Sequence, residues 1–539
     1  MTSVQLYDTI LRDGAQKEGI SFSVTDKLAI TRKLDELGIH FIEGGWPGSN
    51  PKDVEFFTLA KDLRLHNSEL VAFGSTRQSA SRAKDNANLK SLAGVGVKTV
   101  TIVGKSSELQ VIRVLETTLE ENLSMIADSV GYLRAKGLTV FFDAEHFFDG
   151  FKANPDYSLR CLEAAADAGA GCLVLCDTNG GSLPDEIAAA IGVVRDKTSV
   201  ALGIHTHNDG GLAVANTLAA VAGGVSQIQG TVNGYGERCG NADLCSIISA
   251  LKLKMGIDCI TDAGLAKLTG VSHYISEVSN LALDPSSPYV GSSAFSHKGG
   301  LHVSGLTKWS ESYQHIDPAR VGNQSRVVVS ELSGKGNIVY KAREMGLDLP
   351  SRGEQVKKLL EQVKSLESRG FQYENAGASF ELLVHRAKPD YRPSFELVDF
   401  MVVVERRRRL PTIAELEDML SEATVKVKVG GEIIHTAAEG NGPVNALDHA
   451  LRKALLQFYP SLAVVKLVDY KVRILEESVG TESQVRVLIE SSDGVREWRT
   501  VGSSANIIEA SWLALADSLE YWLLKQKPDR AKGAKADGD

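Results

Sequence analysis

Long apolar runs and secretory features are missing from this chain of 539 residues. No stretch of about 20 apolar residues occurs, which argues against a membrane-spanning helix. The start, MTSVQLYDTILRDG, has neither the charged nor the apolar region of a secretory signal, so we expect a cytoplasmic protein. The six cysteines show no zinc or redox spacing. A net charge of -9 argues against nucleic acid or an anionic membrane as the main partner.

The first half instead alternates short β-like runs with helix-patterned segments. The runs begin near residues 4, 40, 69, 99, 139, 171, 201 and 227. A strand followed by a helix, repeated eight times in about 240 residues, predicts an α/β fold of the (β/α)8 TIM-barrel type. A doubly wound open sheet is the alternative. That fold usually has fewer repeats and a glycine-rich first turn, which this sequence lacks.

The pattern changes after the predicted barrel, which we place at residues 1–265. Residues 266–395 read as a helical, loop-rich linker region. Strand-like segments such as ATVKVKV and SQVRVLIE return within residues 396–525 and alternate with long helical segments, which predicts a separate α+β domain. The polar end at residues 526–539 reads as a disordered tail.

Two histidines in LGIHTHNDGG raise the first chemical hypothesis. His205 and His207 are two residues apart, and side chains at that spacing share one face of a strand. Convergent neutral imidazoles suit a metal ion, although two histidines in a core have the same spacing. Polar residues also follow other predicted strands at their carboxyl ends, which is the end of a TIM barrel where active sites lie. They include Asp13, Glu43 and Glu145.

Three motifs carry a resemblance to a known family. LYDTILRDGAQ, HTHNDGGLAVANTLAAV and NGYGERCGNADL together resemble the acyl-CoA-dependent Claisen condensing enzymes, namely the 2-isopropylmalate, homocitrate and citramalate synthases. The stretch IEGGWPGSNPKD is similar to the citramalate synthase branch. The resemblance spans the predicted barrel, the SHKGGLH segment and the C-terminal domain.

The resemblance implies roles for individual residues. The metal ligands would be Asp13, His205 and His207, with Asn241 as a weaker one. The keto acid would be bound by Arg12 and Thr178, and Arg12 would also be catalytic because it can stabilise the developing alkoxide. We expect Glu43 in the same substrate site, where it would orient Arg12 rather than act as the base. Three residues remain candidates for the base that deprotonates the acetyl group: Glu145, Glu237 and His297.

The implied activity is the condensation of acetyl-CoA with pyruvate to (R)-citramalate, followed by thioester hydrolysis, in isoleucine biosynthesis. A divalent metal, which could be Zn, Mn, Mg or Co, would polarise the keto acid. The C-terminal domain would form a homodimer and bind isoleucine as a feedback effector. Some relatives carry a tyrosine in the segment matched by residues 322–328, and this chain reads GNQSRVV there.

Other functions stay open at this point. The same barrel and metal motif would serve a 2-isopropylmalate or homocitrate synthase that acts on a different 2-keto acid. They would also serve a lyase that cleaves hydroxyacyl-CoA compounds, although the GERCGN loop and the long C-terminal extension favour a synthase. A binding module without catalysis would not explain polar residues at so many strand ends.

Overall fold

The computed structural model describes residues 4–328, 335–344, 354–406, 419–475 and 483–526. Contacts divide the chain into two units. The first unit comprises residues 4–295 and 314–325, and the second comprises residues 296–313 and the described residues from 326 onward. The predicted disordered tail at residues 526–539 lies outside the described residues except for Gln526, which is the last residue of a helix. No helix in the described part of the chain is both long and apolar enough to cross a membrane.

A closed barrel of parallel strands forms the first unit, which confirms the predicted fold class. Each strand pairs with the next along the chain, and the last pairs with the first. The strands are β1 (Gln5–Asp8), β2 (Phe41–Gly45), β3 (Glu69–Ser75), β4 (Thr99–Lys105), β5 (Thr139–Glu145), β6 (Cys172–Asp177), β7 (Ala201–Thr206) and β8 (Gln227–Gly230).

Helices between the strands cover the outside of the barrel. They are α1 (Val24–Leu37), α2 (Pro51–Ala60), α3 (Ala87–Gly94), α4 (Glu108–Arg113), α5 (Leu119–Ala135), α6 (Phe147–Ala153), α7 (Pro155–Asp167), α8 (Pro184–Arg195) and α9 (Ala213–Ala222). Three more follow β8: α10 (Leu244–Leu253), α11 (Asp262–Leu265) and α12 (Leu268–Val278). Local signals set the bounds of α1, because Ser23 and Asp26 form a capping box and Gly38 ends the helix with a positive φ.

The interior of the barrel changes character along its axis. Alternate strand residues point inward, and they include the buried cluster of Tyr7, Val71, Phe141, Cys172, Val174 and Cys176. Towards the carboxyl ends of the strands the buried residues become charged or polar, and they include Glu43, Asp143 and His205. The strands therefore place polar groups together at one mouth.

The second unit combines helices with small sheets. Its elements before the C-terminal domain are β9 (Ser296–His297), α13 (Gly300–Lys308), β10 (Arg326–Val327), α14 (Lys335–Glu344), α15 (Glu354–Ser368) and α16 (Gly377–Arg386). They are followed by β11 (Glu396–Arg406), β12 (Met419–Val429), β13 (Glu432–Gly440), α17 (Pro443–Leu455), β14 (Lys466–Ile474), β15 (Val485–Ser492), β16 (Glu497–Ser504) and α18 (Ile507–Gln526).

The last eight elements repeat one plan twice. Three antiparallel strands, β11 to β13, precede α17, and three more, β14 to β16, precede α18. The pairing of each first strand shifts at the same place, between Leu397 and Asp399 in one repeat and between Leu467 and Asp469 in the other. Buried side chains of both sheets and both helices form one apolar core. This arrangement confirms the predicted α+β domain.

Candidate active site

Asp13, His205 and His207 form a buried cluster at the mouth of the barrel. The two histidine Nε2 atoms are 3.4 Å apart, and Asp13 Oδ2 lies 3.7 Å from the first and 4.0 Å from the second. All three side chains are more than nine-tenths buried. One carboxylate and two imidazoles within 4.8 Å of one another make a donor set that can hold a metal ion.

A chain of hydrogen bonds orients the imidazole ring of His205. The Gln229 side-chain amide donates to Asp143 Oδ1 at 3.1 Å, and so its oxygen faces His205 Nδ1 at 3.0 Å. Nδ1 then carries the imidazole proton, and the lone pair of Nε2 points towards Asp13 and His207. Such an outer hydrogen bond commonly fixes the tautomer of a histidine that binds a metal.

The protonation states agree with this role. Burial, followed by the neighbouring His207, lowers the pKa of His205 to about 4, and burial also lowers the pKa of His207. Burial opposes the ionisation of Asp13, but Arg12 and the two histidines outweigh it and lower the Asp13 pKa to about 2. Neutral imidazoles beside an ionised carboxylate are the forms that bind metal.

Asn241 completes the surroundings of the cluster. Its side-chain nitrogen donates to Asp13 Oδ1 at 2.9 Å and to the Tyr235 carbonyl oxygen at 3.1 Å. Within the described residues, its side-chain oxygen is buried without a hydrogen-bond partner, as is Nδ1 of His207. Buried polar atoms are rarely left unpaired in proteins. These atoms, together with the convergent donors, fit a site that a divalent cation and its bound groups would complete.

Arg12 is clamped beside the cluster. Its Nε donates to Glu43 Oε1 at 2.6 Å and its Nη1 to Asp13 Oδ2 at 3.1 Å. The guanidinium carbon lies 3.9 Å from the centre of the Phe73 ring. Tyr7 in turn donates to Glu43 Oε2 at 2.6 Å, so Glu43 is held from both sides.

Electrostatics keep Arg12 charged. Burial opposes the charge, but the carboxylates of Glu43 and Asp13 outweigh it and raise the Arg12 pKa. Burial raises the pKa of Glu43 and, with the nearby Glu43 carboxylate, raises that of Asp143 well above its usual range. Burial and the nearby Glu43 carboxylate thus both favour the neutral form of the Asp143 carboxyl group.

Glu145 lies on the neighbouring side of the mouth. It shares the inward face of β5 with Asp143, two residues earlier, and its Oε2 lies 2.6 Å from Lys105 Nζ. Next to it, His146 has a left-handed backbone with φ of 59°, and its backbone N–H donates to Thr178 Oγ1 at 2.8 Å. Thr178, the first residue after β6, therefore contacts the residue that directly follows Glu145.

The remaining two predicted residues are Glu237 and His297. Glu237 is exposed on the loop after β8. The next residue, Arg238, points to Asp209 in a two-pronged ion pair with distances of 2.7 and 2.9 Å. His297 is buried on β9 of the second unit, where burial and the nearby His302 lower its pKa.

Several residues of the site were not singled out from the sequence. Gln229, Tyr7, Phe73 and Lys105 support or flank the predicted residues, and each occupies an inward position of its strand. The period-two alternation along β8 and β4 could have indicated Gln229 and Lys105. Their partners could not be found in this way, because Gln229 and Asp143 are 86 residues apart in the chain.

Comparison with known proteins identifies the class and then the family. The profile of the HMGL-like family matches residues 3–275, which include the barrel and the Asp–His cluster, so the chain belongs to that family of enzymes. Profiles described as a homocitrate synthase post-HMGL domain and a LeuA allosteric (dimerisation) domain match residues 289–370 and 374–523. Within this class the chain belongs to the (R)-citramalate synthases, which confirms the resemblance seen in the sequence.

Relatives with that name match almost from end to end. The (R)-citramalate synthase of Geobacter sulfurreducens is 54% identical over 99% of this chain and 100% of its own length. The protein of Aquifex aeolicus is 50% identical over 98% and 99%, and that of a Synechocystis strain is 51% identical over 97% and 96%.

Proposed function

We propose that this enzyme condenses acetyl-CoA with pyruvate and hydrolyses the resulting thioester, which yields (R)-citramalate for isoleucine biosynthesis. The observation that carries the proposal is the buried cluster of Asp13, His205 and His207 beside the clamped Arg12. The relatives named (R)-citramalate synthase support the choice of product.

Asp13, His205 and His207 would hold a divalent cation, which could be Zn, Mn, Mg or Co, with Asn241 as a further ligand after its amide has turned. When bound, such a cation polarises the ketone of a 2-keto acid and orients its carboxylate. The donor set of oxygen and nitrogen atoms does not choose among these metals.

Arg12 would donate hydrogen bonds to the keto acid oxygen on which negative charge develops. Its orientation is fixed in advance by Glu43 and Phe73, so little reorganisation is needed when the charge appears. We assign Glu43 to positioning, since both of its oxygens are occupied by Arg12 and Tyr7. Thr178, which follows β6 at the same mouth, would contact the keto acid carboxylate.

Glu145 is the base that the geometry favours among the three candidates. It points into the mouth from β5, whereas Glu237 is exposed on a loop. A carboxylate at this place can take a proton from the acetyl methyl group. His297 would act near the acetyl group, from the linker region, which we place at residues 266–395.

A panel of 2-keto acids tests the proposal. The full-length enzyme with acetyl-CoA should release free CoA fastest with pyruvate, because a pocket sized for the methyl group of pyruvate would exclude larger side chains. A tenfold preference for 2-oxoisovalerate or 2-oxoglutarate would instead indicate a 2-isopropylmalate or homocitrate synthase. Consumption of a hydroxyacyl-CoA in place of CoA release would indicate a lyase.

The C-terminal domain, predicted at residues 396–525, would form the homodimer and bind isoleucine as a feedback effector. The match to an allosteric (dimerisation) domain supports this proposal. Titration of isoleucine, leucine and valine against the full-length enzyme should show inhibition by isoleucine at the lowest concentration. Equal effects of all three, or none, would contradict it.

A further inference from the structure

Lys105 and Glu145 form an ion pair directed into the mouth of the barrel. They are register partners at the ends of β4 and β5, and the Nζ–Oε2 distance is 2.6 Å. Along both strands every second residue faces inward. Lys105 lies on the same face as Thr101, whose hydroxyl group forms a hydrogen bond with Tyr7 inside the barrel. Only 17% of the Lys105 side chain and 27% of the Glu145 side chain are exposed.

The backbone on both sides of the pair is fixed. The buried Asn122 donates to the carbonyl oxygen of Lys105 at 2.9 Å, and the Ser106 N–H donates to the carbonyl oxygen of Glu145 at 3.0 Å. The two side chains therefore start from a rigid platform. Geometry of this kind is what a preorganised catalytic group requires.

The charge of Glu145 acts on the same part of the barrel interior as the charge of Arg12. Cys176 lies inside the barrel among these groups, and burial together with the carboxylates of Asp143 and Glu145 raises its pKa well above the usual range, while Arg12 acts in the opposite direction. Asp143 is two residues before Glu145 on the same strand face and connects through Gln229 to His205. A thioester that meets Glu145 thus lies on the side of the mouth that adjoins the proposed metal ligands.

Removal of a methyl proton by Glu145 moves a negative charge over a short distance. The carboxylate takes the proton, the C–H electron pair forms a C=C bond, and the π pair of the thioester C=O moves to its oxygen. The charge leaves Glu145 and appears on the enolate oxygen. An ammonium group within reach of both atoms can neutralise whichever one is charged.

We propose that Lys105 is a catalytic residue that donates a hydrogen bond to the thioester oxygen and stabilises the enolate of acetyl-CoA. This inference rests on the proposed function and deepens it. In the resting enzyme Lys105 pairs with Glu145, and upon enolisation it exchanges this partner for the enolate oxygen. The enolate carbon then attacks C2 of the keto acid, and the ketone π pair moves to the oxygen that faces Arg12.

The test compares Lys105→Met with Lys105→Arg in the full-length enzyme, with deuterated and ordinary acetyl-CoA. Loss of one donor to a developing oxyanion lowers kcat by on the order of 100- to 1,000-fold. We expect this loss in Lys105→Met, with the KM for pyruvate changed less than twofold and partial recovery in Lys105→Arg. The deuterium isotope effect on kcat should rise in Lys105→Met, because enolisation becomes the slowest step.

Lys152→Met is the matched control. Lys152 also forms an ion pair, with Glu186 at 2.5 Å, but it lies on α6 and 75% of its side chain is exposed. This variant should keep wild-type kcat and isotope effect. A merely structural pair at Lys105 would lower the melting temperature without raising the isotope effect, and that result would overturn the inference.

Three further outcomes are distinguishable. A large rise in the KM for pyruvate with unchanged kcat would place Lys105 on the keto acid carboxylate and overturn the assignment to the enolate. Wild-type enzyme that releases no CoA with any 2-keto acid would contradict the proposed function itself. Normal wild-type turnover with an unimpaired Lys105→Met variant would contradict this inference alone.

Discussion

Buried ionisable groups differ between the two units of the chain in how fully the surrounding protein satisfies their hydrogen bonds. In the second unit Glu520 is 3% exposed, and its oxygens accept hydrogen bonds from the Ser394 N–H at 2.9 and 3.0 Å and from Tyr391 Oη at 2.8 Å. In the barrel, Asp13, His205 and His207 point at one another, and two polar atoms around them lack hydrogen-bond partners in the described structure.

The difference separates two uses of a buried polar group. Glu520 is satisfied by local donors and joins α18 to the segment before β11, so its removal should affect folding. The barrel cluster is incomplete within the protein itself, so its removal should affect chemistry. Burial alone does not indicate function, whereas convergent metal-binding atoms beside buried polar atoms without partners do. Variants in each region can break or sharpen this contrast.

The largest expected effect is on activity, in His207→Ala. Loss of one imidazole from the proposed metal site should lower kcat by on the order of 1,000-fold, since a bound cation contributes several kcal/mol. The melting temperature of the variant without metal should stay close to that of the wild type without metal. Prolonged chelation of the wild type should reproduce the loss, and added divalent metal should reverse it. Full activity after verified metal removal would contradict the metal site.

A smaller loss is expected in Arg12→Lys. Lysine keeps the charge but cannot bind Glu43 and a substrate oxygen with one planar group. We expect kcat to fall by roughly 100-fold, with a smaller rise in the KM for the keto acid. Steady-state kinetics over a range of pyruvate concentrations would measure both. An unchanged kcat with a raised KM would limit Arg12 to binding.

Glu520→Ala should show the opposite profile. The buried Ser394 N–H would lose its acceptor, at a cost of about 2–3 kcal/mol in the free energy of unfolding. The KM for pyruvate should stay within twofold of the wild type. Chemical denaturation followed by circular dichroism would measure the first quantity. Unaltered stability, or a raised KM, would weaken the contrast between the units.

The smallest expected effect is a pH-dependent loss of stability. It concerns Asp35, a carboxylate in the barrel unit whose oxygens, like those of Glu520, accept hydrogen bonds from the protein. Asp35 accepts hydrogen bonds from the backbone N–H groups of His66, Asn67 and Ser68, and although burial opposes this, they lower its pKa. A lowered folded-state pKa contributes stability above about pH 4, and that stability is lost as pH falls through the folded pKa.

Asp35→Asn should therefore cost about 1 kcal/mol at pH 7. The difference from the wild type should shrink below about pH 4, as the wild-type carboxylate becomes protonated. Melting curves between pH 3 and pH 7, a range chosen to span the usual carboxyl pKa, would measure it. A difference that is constant over this range would exclude the charge of Asp35 as its cause.

Sequence patterns predicted the barrel because each strand and helix carries its own local period and caps. The positions of Asp13, His205 and His207 followed from the same pattern, since they stand at or beyond strand ends. The supports could not be predicted, because they depend on which side chains meet across the barrel. Gln229 accepts from His205, and Tyr7 meets Glu43, only once the strands have closed.

The shifted first strands of the two repeats have a consequence for modularity. The aromatic residue after each shift contacts the same helix, since Phe400 stacks on Trp512 at 5.5 Å and the hydroxyl of Tyr470 lies 2.7 Å from Ser511 Oγ. Both neighbours belong to α18, although Phe400 comes from the first repeat. A chain shortened to the first repeat would thus lose the α18 side chains that cover Phe400. An insertion between the two repeats must still allow α18 to pack against both. The two repeats therefore form one folding unit with a shared core.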